Sequence, residues 1–130
     1  MKILALIARI LLGLIFLVFG LNKFHTFIPA PMPTGLAGQF VGALFVSHYL
    51  LVVATIEVVT SVLLLSNRYV PLALTLLGPV IINIFLFHSF LEPSGLPMAL
   101  FLVVLWFILF ASVRQAFAGI FAQKAQPANQ

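Results

Sequence analysis

The chain of 130 residues is 64% hydrophobic and only 6% charged, with a mean hydropathy of +1.29. Soluble domains are about a quarter charged, so six Lys or Arg and two Glu cannot cover a protein surrounded by water, and a soluble globular fold is excluded. The net charge of +4 comes from basic residues scattered singly, which make no nucleic-acid patch, and the lack of cysteine removes disulfides, thiolate metal sites and thiol redox chemistry.

Taken in chain order, the first apolar run extends from Ile3 to Leu21 and is broken only by Arg9, Gly13 and Gly20. Met1-Lys2 before it resembles the start of a signal peptide, but the internal arginine and the lack of a small-x-small cleavage site favour a retained helix. A connection from Phe24 to Ser47 follows, with Pro29, Pro31 and Pro33 at alternate positions, a pattern that excludes regular helix there. Thr34 and Gly35 then open a short helix over about 35–46, expected to lie at the membrane interface. The second long run covers Tyr49 to Leu65 with Glu57 near its middle. After Ser66-Asn67-Arg68, the third runs from Val70 to Phe90 and contains Pro79, Asn83 and His88. Glu92-Pro93-Ser94-Gly95 separates it from the fourth, from Leu96 to about Phe117. Each long run matches the roughly 20 residues that cross a bilayer as a helix, and the alternation that lines a transmembrane barrel is missing.

The expected architecture is therefore all-α: one polytopic membrane domain over residues 1–130, a four-transmembrane-helix bundle with helices at about 3–23, 47–66, 69–91 and 96–118. Orientation follows from the basic residues. With both termini and the 66–69 turn in the cytoplasm, Lys2, Arg9, Arg68, Arg114 and Lys124 lie on or near that side and Lys23 alone on the other, in keeping with the positive-inside rule.

Two ionisable groups fall well inside the runs, and such groups are costly in lipid unless paired or solvated. Counted from the inner ends of their helices, Arg9 and Glu57 sit about 9 and 13 Å above the inner boundary. Opposite charges at similar depth predict a buried Arg9–Glu57 ion pair. The alternatives are an Arg9 that snorkels to the interface and a Glu57 that is protonated and hydrogen-bonded locally. Arg9, Gly13, Phe16, Gly20 and Lys23 recur at spacings of three and four, so they share a helix face, and Gly13 and Gly20 are expected to form a packing seam. Ser47, Ala54, Glu57 and Ser61 make a comparable small and polar face for it to meet.

The remaining polar groups gather toward the outer side. Asn83 lies about 11 Å below the outer boundary, where an interhelical hydrogen bond or a ligand contact would use its amide. Asn22 and Lys23 close the first helix, and His88 and Glu92 stand four residues apart. Together Asn22, Lys23, Asn83, His88 and Glu92 outline a candidate ligand pocket facing outward. No metal site is expected, because His25, His48, His88 and Glu92 have no HExxH or paired-histidine pattern.

Ala8-Arg9-Ile10-Leu11-Leu12-Gly13-Leu14-Ile15-Phe16-Leu17-Val18-Phe19-Gly20-Leu21-Asn22-Lys23-Phe24 resembles the opening signature of the DoxX family of small four-helix membrane proteins. Ile56-Glu57-Val58-Val59 is similar to the family's second-helix glutamate segment, and Asn83-Ile84-Phe85-Leu86-Phe87-His88 with Glu92-Pro93 resembles the third-helix end of its DoxX-like branch. The likeness covers about residues 3–117. It implies a four-helix bundle in the cytoplasmic (inner) membrane of a bacterium and an association with quinone-linked oxidoreductases or oxidant defence.

Three functions fit these features. The first is a membrane subunit of a redox or stress-response assembly that binds a quinone or another lipophilic ligand in the outward-facing pocket. No intrinsic cofactor is expected, and the family resemblance makes a quinone the candidate. The second is a structural or assembly protein without catalysis, held in the bilayer beside a partner protein or further copies of itself. The third is a small proton-coupled exporter, disfavoured because a glutamate held in an ion pair does not exchange protons freely. Whether any reaction is catalysed stays open.

Overall fold

The computed structural model describes residues 2–128, and all the regular secondary structure among them is helical. Five α-helices follow one another: α1 (Lys2–Phe24), α2 (Gly35–Val46), α3 (Tyr49–Leu65), α4 (Val70–Phe90) and α5 (Leu96–Ser112), with 3-10 turns at Pro93–Gly95 and Arg114–Phe117. Leu, Ile, Val, Ala and Phe dominate the helices, and the punctuation between them is local chemistry. The alternating prolines occupy the non-helical stretch ahead of α2. Asn67, with φ 56°, takes the left-handed conformation in the α3–α4 turn, where an asparagine is readily tolerated. Pro71 sits in the first turn of α4, where its missing N–H costs nothing. The fourth apolar run does not stay helical to Phe117: α5 ends at Ser112 and the chain tightens into the second 3-10 turn.

α1, α4 and the Pro93–Ser112 stretch are each long and apolar enough to cross a membrane. α2 and α3 reach that criterion only as a pair, and they are bent against each other by 81°. The bend is made at His48, whose φ of 65° places it in the left-handed region. Three spans are thus continuous, and a fourth is available if the bent pair is counted as one. Inside the bundle, α1 packs against α3 and α5, and α4 lies between α3 and α5. Leu12, Phe16, Leu64, Leu74, Leu77 and Leu102 are fully buried. Ile3, Leu14, Val52, Phe90 and Phe107 are exposed on the outside, which is the arrangement of a protein whose solvent is hydrocarbon, since no penalty attaches to apolar surface there. Of the phenylalanines, Phe16 alone is in the buried core of the described residues, while Phe24, Phe27, Phe45, Phe101 and Phe121 point outward.

Candidate functional site

The most extensive helix contact is that of α1 on α3, and two glycines set its register. A methyl group added at Gly13 would stand 2.7 Å from Cγ of Leu65, and one at Gly20 would stand 2.8 Å from Cγ2 of Val58 and 3.2 Å from the Ala54 carbonyl oxygen. Gly13 is therefore level with the last turn of α3, and Gly20 is level with Ala54, Glu57 and Val58. Small residues on both sides let the backbones meet where larger ones would hold them apart.

This register decides the ion pair, and it is not the one expected. Glu57 pairs with Lys23, Nζ to Oε1 2.8 Å, and not with Arg9. Equal depths for Arg9 and Glu57 would require the ends of the two helices to lie in one plane. In the structure α3 ends level with the middle of α1, and Glu57 faces Gly20 rather than the first turns of α1. Lys23, one turn beyond Gly20, reaches back to it. The glutamate is 1% exposed and the lysine 24%, so the pair joins a buried carboxylate to an ammonium at the rim. Lys23 also donates to the Phe19 carbonyl at 3.4 Å and lies 5.8 Å from the centre of the Phe19 ring. Below Glu57, the buried hydroxyls of Thr60 and Ser61 donate to backbone carbonyls of their own helix, which leaves no buried polar side-chain atom of the described residues unpartnered.

Arg9 takes a different partner. Its guanidinium donates from one Nη to the carbonyl oxygen of Leu64 in the last turn of α3, which also accepts from the Asn67 N–H at 3.1 Å. Neither the Glu57 pairing nor a fully snorkelled side chain describes it: the residue is half-buried at the end of the bundle where Lys2, Asn67 and Arg68 also lie.

The five residues expected to outline an outward pocket do not converge on one. Asn22 ties down the loop after α1, its Oδ1 accepting from the backbone N–H of Phe27 and Ile28 at 3.0 and 2.9 Å. Lys23 is engaged by Glu57. Asn83 forms no interhelical bond; it is exposed and donates to the Pro79 carbonyl of its own helix at 2.8 Å. His88 Nδ1 is 2.9 Å from the backbone oxygen of Glu92, while the Glu92 carboxylate accepts from Ser94. The His88 ring lies directly against Gly95, where any side chain would overlap it. These contacts fasten the α4–α5 connection. No group of three His, Asp or Glu able to hold a metal ion occurs among the described residues.

Two cavities lie elsewhere. One, of about 180 Å³, opens between α4 and α5 and is lined by Gly78, Ile81, Ile82, Val103, Trp106 and Phe107. Trp106 is fixed across its wall, with Nε1 donating to the Leu74 carbonyl at 2.9 Å and the indole stacked on Phe110 at 5.2 Å. The other, of about 320 Å³, lies at the end of the bundle where α1 begins, and Arg9 borders it. The groove went unanticipated because Trp106 and Gly78 sit in runs apolar on all sides, where nothing in the pattern separates wall from lipid contact. The chain's single tryptophan was the only residue there to distinguish it.

The signature that runs through this seam is diagnostic. The DoxX family profile matches residues 4–89. The chain belongs to the DoxX family. The match takes in α1 with Gly13, Gly20 and Lys23, α3 with Glu57, and nearly all of α4, so the α1–α3 seam and its ion pair lie wholly within the DoxX region, while α5 and Trp106 lie beyond it. No curated protein and no solved structure gives a significant match. A DoxX chain with helices of this length and apolarity is a multi-pass membrane protein.

Proposed function

We propose that this DoxX protein is a membrane subunit of a redox or stress-response assembly, and that it holds a quinone or a comparable prenyl-type lipophilic ligand against α4 and α5. The observation that carries this reading is the groove at Gly78 and Trp106. It is open to the side and lined almost wholly by apolar groups, as the tail of such a ligand requires. Enclosed ligand pockets begin at about 300 Å³. At about 180 Å³ this groove grips part of a molecule, a ring edge or an isoprene unit, and leaves the rest in the bilayer.

The single tryptophan supplies the assay, since quinones quench indole fluorescence on contact. A short-chain quinone titrated into protein in nanodiscs is expected to give saturable quenching of Trp106. Gly78→Leu, which fills the groove, should leave only the linear component. Linear quenching in the unaltered protein, equal to that of Gly78→Leu, would sink the proposal.

We further infer the bacterial cytoplasmic (inner) membrane, four crossings with α2 and α3 acting as one, and both termini in the cytoplasm. The clustering of Lys2, Arg9, Arg68 and Arg114 toward one end supports this. Because the chain has no cysteine, single replacements report sidedness cleanly. Ser66→Cys in intact cells should resist a membrane-impermeant maleimide and Ser94→Cys should react. The reverse pattern would invert the topology.

The assembly role finds support in Asn83, an amide on an exposed face of α4, where a partner helix would supply a better neighbour than lipid. A stoichiometric protein retained through purification, and lost in Asn83→Leu, would favour that reading. Nothing favours the exporter, whose glutamate would have to leave Lys23 in every cycle.

A further inference from the structure

The chain's own charges do not balance at one end of the bundle. It has two acidic residues: Glu57 is held by Lys23, and Glu92 follows the far end of α4 with its carboxylate on Ser94. At the opposite end stand Lys2, Arg9, Arg68 and Arg114, with no carboxylate of the described residues near them. Arg9 is the telling member. It lies two turns into a membrane-crossing helix, half-buried, and its one partner among the described residues is the neutral carbonyl of Leu64. An ionised guanidinium at such a depth needs a counter-charge, and among the described residues none is paired with it.

Beside it is a cavity of about 320 Å³ lined by Lys2, Arg9, Asn67 and Ser112 and, on its apolar side, by residues that include Leu6 and Leu109. Two cations and two neutral polar side chains suit a phosphate. The apolar wall, which runs from the buried Leu109 out to the exposed Leu6, suits the glycerol and first methylenes that follow one. Basic recesses between helices at a membrane surface are the places where anionic headgroups are held. We propose that this crevice is a binding site for the phosphate headgroup of an anionic phospholipid, with the half-buried Arg9 as its counter-ion and the exposed Lys2 at the mouth. It shares no residue with the Trp106 groove, so either can fail without the other.

The test is native mass spectrometry of the full chain released from nanodiscs containing equal phosphatidylglycerol and phosphatidylcholine. The unaltered protein should retain phosphatidylglycerol about thirtyfold more than phosphatidylcholine, as two basic groups at a headgroup imply. Arg9→Gln and Ala5→Leu, the second filling the crevice without touching a charge, should both abolish the preference. Arg68→Gln, outside the lining, should keep it. Should Arg9→Gln fail to fold, Ala5→Leu alone carries the comparison. Equal retention of the two lipids, or a preference that survives in Ala5→Leu, overturns the site. Inorganic phosphate at millimolar concentration should not displace the lipid; displacement would mean that the crevice serves a soluble phosphate compound and would overturn the lipid assignment.

Discussion

Lys23→Met is expected to lower the stability of the bundle by about 3–5 kcal/mol, the usual cost of removing one partner from a buried ion pair. The penalty arises because Glu57, 1% exposed, is left as a carboxylate without a counter-charge and must take up a proton to stay where it is. Glu57→Gln should cost less, since a neutral amide oxygen still accepts from Lys23, which reaches the rim. In the double variant Lys23→Met with Glu57→Met, two apolar side chains of suitable length replace the pair, and most of the loss should return. Thermal unfolding in nanodiscs, followed through Trp106 or far-ultraviolet circular dichroism, reads the cycle. A coupling energy near zero would show that the 2.8 Å contact does not hold the helices together. Arg9→Met serves as the internal comparison: its effect should add to that of Glu57→Gln, because the two side chains have different partners.

Gly20→Leu is expected to prevent assembly of α1 on α3, so that little protein accumulates in the membrane fraction. The finer comparison is between alanines. A helix gains about 1 kcal/mol when Gly becomes Ala, and overpacking a tight contact costs about 1–3 kcal/mol. At Gly13 the new methyl group meets the branched end of Leu65, a flexible side chain that can turn aside, so Gly13→Ala should be close to neutral. At Gly20 it meets the stiff β-branched Val58 and the Ala54 carbonyl oxygen, neither of which can move without shifting α3. Gly20→Ala should be the less stable of the two by about 1–2 kcal/mol. Equal melting temperatures would show that the two glycines do not set the register.

The helical character of the chain was legible in its apolar runs, and family membership in the first-helix signature, because both depend on residues close together in sequence. What local pattern could not supply was the axial offset between helices. Counting residues from helix ends assumes that the ends lie in one plane, and the short α3 breaks that assumption. A better ruler was present: the residues that must touch. Setting Gly20 against the small residue Ala54 brings Glu57, one turn on, against the same glycine, and Lys23, which shares the glycine face, becomes the nearer cation. The polar groups at the outer end pose a related difficulty. Asn22, His88 and Glu92 occupy the same end of the bundle, yet each is consumed by its own loop, and a sequence does not reveal whether a polar side chain at a helix end faces a ligand or the adjoining backbone.

The bend at His48 bears on the bilayer itself. With 17 residues, α3 rises about 25 Å, short of the roughly 30 Å of a hydrocarbon core, while the 23 residues of α1 rise about 35 Å. The bundle therefore presents walls of unequal height to the surrounding lipid, with α2 turned across the top of the lower one. Lipid next to that wall must thin, at a cost of a fraction of a kcal/mol for each ångström of mismatch. Acyl chain length thus becomes a variable to which this protein responds: short-chain membranes relieve the deformation beside α3, and thick ones deepen it.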